Sequence, residues 1–278
     1  MSVLNNLLTS LSSAQVDIID LTAPLSPTTP VLALPEPFAN TIPLSMEKVS
    51  DFDDDGPLWS WNDLNLGEHT GTHLDAPIHW ISGRDGSSVD QIPPSRLIGP
   101  LVVIDKTAET EQNPDFLLEP EHLEQWQQEN GPLPQNAWVI LKTGWSSRSH
   151  DSELFLNVDE SGSHTPGVSV EGARWLAGNS VISGFGVETV GIDAGGAGGF
   201  DPIFPGHNFL LGAGKFGLTQ LQNLDKVPAT GAVLIVAPLP IVGGTGSPTR
   251  VFALVEKAPV ETAPVETAPA EKQGDVGV

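Results

Sequence analysis

The sequence predicts a single mixed α/β (α+β) domain, and three observations lead there. Five β-branched runs are each bounded by Gly, Pro or Asp, which marks strands ending in turns. Two stretches carry helical spacing, so strands outnumber helices and a mixed sheet is favoured over regular βαβ winding. The 29 glycines and 25 prolines among 278 residues supply the turns that such a sheet needs.

In chain order, the strand candidates are VDIIDLTAPL (16–25), LVVID (101–105), WVILKTG (138–144), VISGFGVETVGID (181–193) and GAVLIVAPL (231–239). The helix candidates are EPEHLEQWQQE (119–129) and SVEGARWLAG (169–178), where Ser169 is placed to cap the second. A third helix is expected over HNFLLGAGKFGLTQLQNL (207–224), against the resistance of its glycines. The segment from Pro24 to Leu66 is a long connection, expected to serve or cover a site. Its acidic run Asp51, Asp53, Asp54 and Asp55 reads as a solvated loop, because an EF-hand starting at Asp51 needs Glu where Asn62 stands. The domain is expected to span 1–255. The remainder, 256–278, contains the repeat APVETAPVETAPAEK, which is too rich in Pro, Glu and Ala to build a core and is expected to be disordered.

Composition narrows the function. A net charge of −23 argues against nucleic acid and against anionic membranes as partners. No stretch reaches the length of a membrane span, and the N-terminus lacks a basic region followed by an apolar run, so a cytoplasmic protein is expected. With no cysteine, disulfides, thiolate ligands and a cysteine nucleophile are excluded, and any metal must be held by His, Asp, Glu or amides. No GxSxG elbow appears, which disfavours a serine hydrolase.

The chemistry concentrates in HTGTHLDAPIHW (69–80), which holds three of the seven histidines. A helix would bring His69 and His73 together, but Gly71 and Pro77 interrupt it. In a strand, His69, His73, Asp75 and His79 share one face, while Leu74, Ala76, Ile78 and Trp80 share the other. A straight strand would hold His69 and Asp75 roughly 20 Å apart, too far for one ion. The chain must therefore bend, and Gly71 is where it bends most easily. Four metal-competent groups on one face beside a bend point to a metal site.

At this motif the sequence resembles the cyclase family of metal-dependent hydrolases, which includes kynurenine formamidases and isatin hydrolases. The pattern HxGTHxDxPxH followed by an aromatic is met in full. The likeness extends through IIDLTAPLSP, IGPLVVID, LKTGW, GVETVGID, GHNFLLGAG and LQNLDKVP. It implies a cyclase-like swivelling β/β/α domain with a mixed sheet or barrel-like core and flanking helices. It also implies one divalent ion, Mn2+ or Zn2+, held by His69, His73 and Asp75, with His79 as general acid or base. Formamidase-like members add a second metal position, made by a downstream histidine and a glutamate twelve residues on. His207 matches the histidine, but Thr219 stands at the glutamate position with Gln220 beside it. Gln220 is a candidate neutral ligand if the register shifts by one, and His207 a candidate ligand or substrate contact.

Loss of that glutamate favours the isatin hydrolase branch: an amidohydrolase opening a cyclic aromatic amide with metal-activated water. The alternatives are an arylformamidase acting on N-formylkynurenine, a biosynthetic cyclase or dehydratase, or a metal-dependent binding protein. Trp59, Trp61 and Trp80 are candidates for an aromatic substrate pocket, with core packing as the other reading of each. His122, His150 and His164 read as helix-surface or loop residues. The resemblance also implies a homodimer or larger assembly, with the 24–66 segment reaching a neighbouring site.

Overall fold

The computed structural model describes residues 2–34 and 37–257; the repeat-bearing tail lies outside them. Among the described residues, ten strands of three or more residues organise the fold: β1 (Val16–Asp20), β2 (Ser45–Asp51), β3 (Ser60–Asn65), β4 (His73–Asp75), β5 (Ile98–Asp105), β6 (Ala137–Lys142), β7 (Ile182–Val187), β8 (Phe216–Leu218), β9 (Ala232–Pro238) and β10 (Gly246–Glu256). One mixed sheet runs in the order β1-β10-β9-β5-β6-β7-β8-β4. Because β4 also pairs antiparallel with β10, seven of these eight strands close into a barrel, and β1 rides on the outside of β10. β5, β6, β7 and β8 are mutually parallel, and the remaining pairings of the barrel are antiparallel.

Side-chain alternation explains the layers. Leu101 and Val103 of β5, with Trp138 and Ile140 of β6, join Leu74, Phe216, Leu218, Leu234 and Val251 in the barrel core. Their neighbours Val102, Ile104, Val139 and Leu141 face the other way, under the helices Pro120–Asn130 and Val170–Gly178, against Leu123, Trp126, Ala173 and Leu176. Gly184 of β7 makes room for the indole of Trp138: a Cβ there would meet its Cζ3 at 2.5 Å. The Trp138 indole N–H donates to the Arg96 carbonyl, so the buried ring leaves no polar group unpaired.

All five expected runs contain a strand, and both expected helices form, with the Ser169 hydroxyl accepting the Gly172 N–H. Three expectations need correction. The 207–224 run is not one helix. It is a π-helical turn at His207–Leu211, then β8, then a 3-10 turn at Leu224–Lys226. Gly214, at φ +69°, ends the first piece, and β8 is recruited between β7 and β4. Residues 69–80 are not one strand either. Only His73–Asp75 is extended, and Pro77–His79 forms a 3-10 turn. The 24–66 connection is not structureless, since β2 and β3 pair as an antiparallel hairpin within it. The sequence reading also passed over β10, the strand that closes the barrel, and the helix Val3–Ser12.

Candidate metal centre

The short strand β4 sets the centre. His73 and Asp75 leave one side of it, while Leu74 enters the barrel core from the other. Gly71, at φ +65°, turns the preceding chain back, as its place in the sequence suggested. The bend brings His69 Nδ1 to 2.8 Å from Asp75 Oδ1. His73 Nε2 approaches the same oxygen at 3.3 Å, and its Nδ1 donates to the Gly71 carbonyl at 2.8 Å. After β4, the Pro77–His79 turn folds His79 onto His69, with ring centroids 3.9 Å apart and planes inclined by 28°. Ligand atoms of His69, Asp75 and His79 all lie within 4.8 Å of one another.

From the far side comes His207, on the π-helical turn. Asp193 accepts from the Gly206 N–H at 2.6 Å, from the His207 N–H at 3.1 Å and from His207 Nδ1. This leaves His207 Nε2 facing Asp75 Oδ2 at 3.9 Å. That Oδ2 is buried and has no hydrogen-bond partner, and an unpaired buried carboxylate oxygen is costly. An orphaned oxygen beside converging imidazoles is the donor set that a divalent cation satisfies, so the residues fit a metal.

The electrostatics agree. Burial acts to raise the Asp75 pKa, but the charges and hydrogen bonds of His73 and His69 outweigh it and hold the carboxyl well below the usual range. Burial depresses His79 to about 3, with the neighbouring histidines adding to the effect against Asp75, so its imidazole is neutral at pH 7. Burial also opposes charge on His207, but the hydrogen bond and charge of Asp193, helped by Asp75, win and raise it.

These groups line one end of a cavity of about 290 Å³. Its other walls are Trp80, Phe204, Val190 and the segment carrying Val31, Leu32 and Leu34. Trp80 lies 4.9 Å from the His207 ring and 5.7 Å from Phe204, between centroids. A wider groove of about 560 Å³ beside Asp20 and Arg250 contains none of the histidines.

His69, His73, Asp75, His79, Trp80 and His207 are thus brought together. Gln220 is not, which corrects its candidacy as a ligand. At φ +54° its buried side chain turns away and donates to the Pro30 carbonyl at 3.2 Å, while its own carbonyl accepts the Thr72 hydroxyl. Thr219 faces the site instead, with its hydroxyl 2.9 Å from His73 Nδ1. Trp59 and Trp61 also fall outside. They sit on the hairpin, 48% and 57% exposed, packed edge to face. His122 is half-buried at the start of its helix, where its Nδ1 accepts the Glu119 N–H, whereas His150 and His164 lie outside regular elements.

The sequence reading missed Asp193, Phe204 and Glu188. Glu188 is buried and accepts from the Thr143 and Gly144 N–H groups and from the Thr143 and Ser146 hydroxyls. It therefore ties LKTGW to GVETVGID, next to the pocket residues Val190 and Gly191. The signal was present as two carboxylates in a glycine-rich run that leaves a strand, but nothing in the spacing assigned them partners.

A closed mixed barrel with a His/Asp corner at its β4 edge defines a class of metal-dependent hydrolase fold. The chain belongs to the cyclase family, since the family model described as putative cyclase matches residues 19–194. It is 46% identical to an isatin hydrolase of Roseibium aggregatum over 260 residues, 92% of this chain and 98% of that one. Its structure resembles an isatin hydrolase bound to the product analogue thioisatinate, with a TM-score of 0.90 at 46% identity, covering 92% of this chain and all of the other. A kynurenine formamidase of Salinibacter ruber is more distant, 29% identical over 70% of this chain and 79% of its own.

Proposed function

We propose that this protein is an isatin hydrolase, opening the five-membered lactam of isatin to isatinate. The observation that carries the reading is likeness to isatin hydrolases along nearly the whole chain, with the His/Asp corner set at the end of a largely apolar, aromatic-walled cavity. Hydrolysis adds one water across the amide: a C–O bond forms at the carbonyl carbon, the C–N bond breaks, and the nitrogen gains a proton.

His69, His73 and Asp75 would hold the ion, manganese or zinc, since imidazole and carboxylate suit both. Once bound, it supplies a Lewis acid that polarises the amide carbonyl and acidifies water at neutral pH. His79 is the proton carrier. Its ring stacks on His69, with centroids 3.9 Å apart, which places it beside the residues that would hold the ion. Neutral at pH 7, its imidazole is free to accept the proton shed by the attacking water and pass it to the departing nitrogen, an uptake that burial opposes and the Asp75 charge favours. His207, positioned by Asp193 and with its pKa raised by that carboxylate, stands on the cavity wall as a partner for the product carboxylate. Trp80 and Phe204 flank the flat substrate ring.

A second copy completes the assembly in this reading. Met46, Phe52, Leu58, Trp59, Trp61 and Leu64 stand exposed on and around the hairpin, an apolar surface that a homodimer would cover. No helix among the described residues is long and apolar enough to cross a membrane.

The test is turnover of isatin and of N-formylkynurenine in parallel. Isatin is expected to be consumed with isatinate as product. Turnover of formylkynurenine alone would move the assignment to the arylformamidase branch despite Thr219.

A further inference from the structure

Outside the groups already given roles, one chain of polar contacts ends on the metal corner. Glu68 precedes the motif, and Thr245 precedes β10, nearly 180 residues later. The Thr245 hydroxyl donates to Glu68 Oε2 at 2.6 Å, and the Thr245 backbone N–H donates to the same oxygen at 3.1 Å. The same hydroxyl lies 2.9 Å from His69 Nε2. Gly246, next in the chain, packs so close that a Cβ there would meet His69 Cε1 at 2.5 Å. The Thr245 carbonyl accepts the Ala76 N–H, which locks this segment to the end of β4.

A hydroxyl has one proton to donate, and a carboxylate only accepts. Since the Thr245 proton goes to Glu68, its oxygen must accept from His69, which requires Nε2–H. His69 Nδ1, 2.8 Å from Asp75 Oδ1, then carries a proton only if the ring is a doubly protonated imidazolium; when the ring is neutral, its Nδ1 lone pair points at that oxygen. Two acceptors at that distance repel unless a cation joins them.

We propose that Glu68 and Thr245 form a relay that fixes His69 as an Nδ1 metal ligand. Both are positioning residues: neither touches the ion, and each acts through the imidazole. The relay deepens the metal reading given above and rests on it. It also explains why β10, which closes the barrel, matters to a site built mainly from residues 69–79. The residue that leads into the last barrel strand delivers the hydroxyl that sets the tautomer of the first histidine.

The relay makes a prediction that packing alone does not. Removing the Glu68 carboxylate frees the Thr245 proton to turn toward His69 Nε2. That favours the Nδ1–H tautomer and blocks the ligand nitrogen, although Glu68 never contacts His69.

The experiment measures zinc affinity by chelator competition on full-length protein. The variants are Thr245→Val, Thr245→Ser, Glu68→Ala, Glu68→Gln and the Thr245→Val/Glu68→Ala double. Nitrogen-15 spectra of the zinc-loaded proteins report the His69 ring protons. Thr245→Val and Glu68→Ala should each weaken zinc by about 10- to 100-fold, the usual cost of an outer contact to a ligand histidine. Thr245→Ser and Glu68→Gln, which keep the hydroxyl and an acceptor, should recover most of it. The double variant should lose no more than the worse single, because one relay is broken twice. The wild type should show a slowly exchanging His69 Nε2–H. Additive losses, wild-type affinity in Thr245→Val, or a proton on Nδ1 in the loaded wild type would overturn the relay and leave the metal site standing. A wild type that binds no zinc or manganese would overturn the metal reading and the relay with it.

Discussion

At the metal corner each ring is held by another group, whereas in the hairpin Ser45–Asn65 the large apolar side chains stand in the open. His69 is gripped by Asp75, Thr245 and the stacked His79, and His207 by Asp193. Trp59 and Trp61 touch each other edge to face and remain about half exposed. The difference teaches which parts of the activity one chain completes alone. The groups proposed to bind the ion and move the proton all come from one chain, while the hairpin leaves large apolar side chains exposed, the surface proposed for a second copy.

Breaking the corner should therefore cost far more than trimming the hairpin. Asp75→Asn removes the negative charge on which two imidazoles converge and puts an NH2 group in place of one carboxylate oxygen. It should abolish isatin turnover and weaken metal binding beyond the roughly 100-fold cost of an outer contact, as read by chelator competition. His79→Ala should lower kcat by about 10²- to 10⁴-fold while metal affinity stays near wild type. A parallel loss of affinity would instead make His79 a ligand. Glu188→Gln strands buried donors of the LKTGW turn and should cost roughly 2–4 kcal/mol in chemical denaturation. Trp59→Ala with Trp61→Ala should change fold stability by less than about 0.5 kcal/mol yet raise the monomer fraction in light scattering.

The smallest effect concerns His164, between Asp115 and Asp159 on the surface. Its hydrogen bonds to Asp115 and then Asp159 raise its pKa. A raised folded value stabilises fully below the ordinary value near 6.5 and is lost as pH climbs through the folded one. The denaturation midpoints of wild type and His164→Asn should therefore differ at about pH 5.5 and converge by about pH 9.

Much of this contrast could be read in the sequence, and what could not has physical causes. Alternation and bounding turns revealed the strands that pass through the barrel core, because burial on two faces demands β-branched runs. β10 escaped notice because GSPTR opens it with turn-like residues, and only its pairing with β1, β4 and β9 makes it a strand. At the site, Gly71 announced the bend and the spacing announced His69, His73, Asp75 and His79. Gln220 misled because a single residue of register separates a side chain facing His73 from one facing Pro30, and only the β8–β4 pairing sets that register. Glu68, Asp193 and Thr245 were illegible for a related reason: a lone carboxylate or hydroxyl gains meaning only from the imidazole that folding brings to it.

The most direct measurement strips the protein with a chelator, titrates back manganese or zinc, and follows isatin ring opening by absorbance. The account predicts no turnover in the stripped protein and recovery that saturates near one ion per chain. Turnover that survives complete stripping, or full metal binding without ring opening, would contradict it.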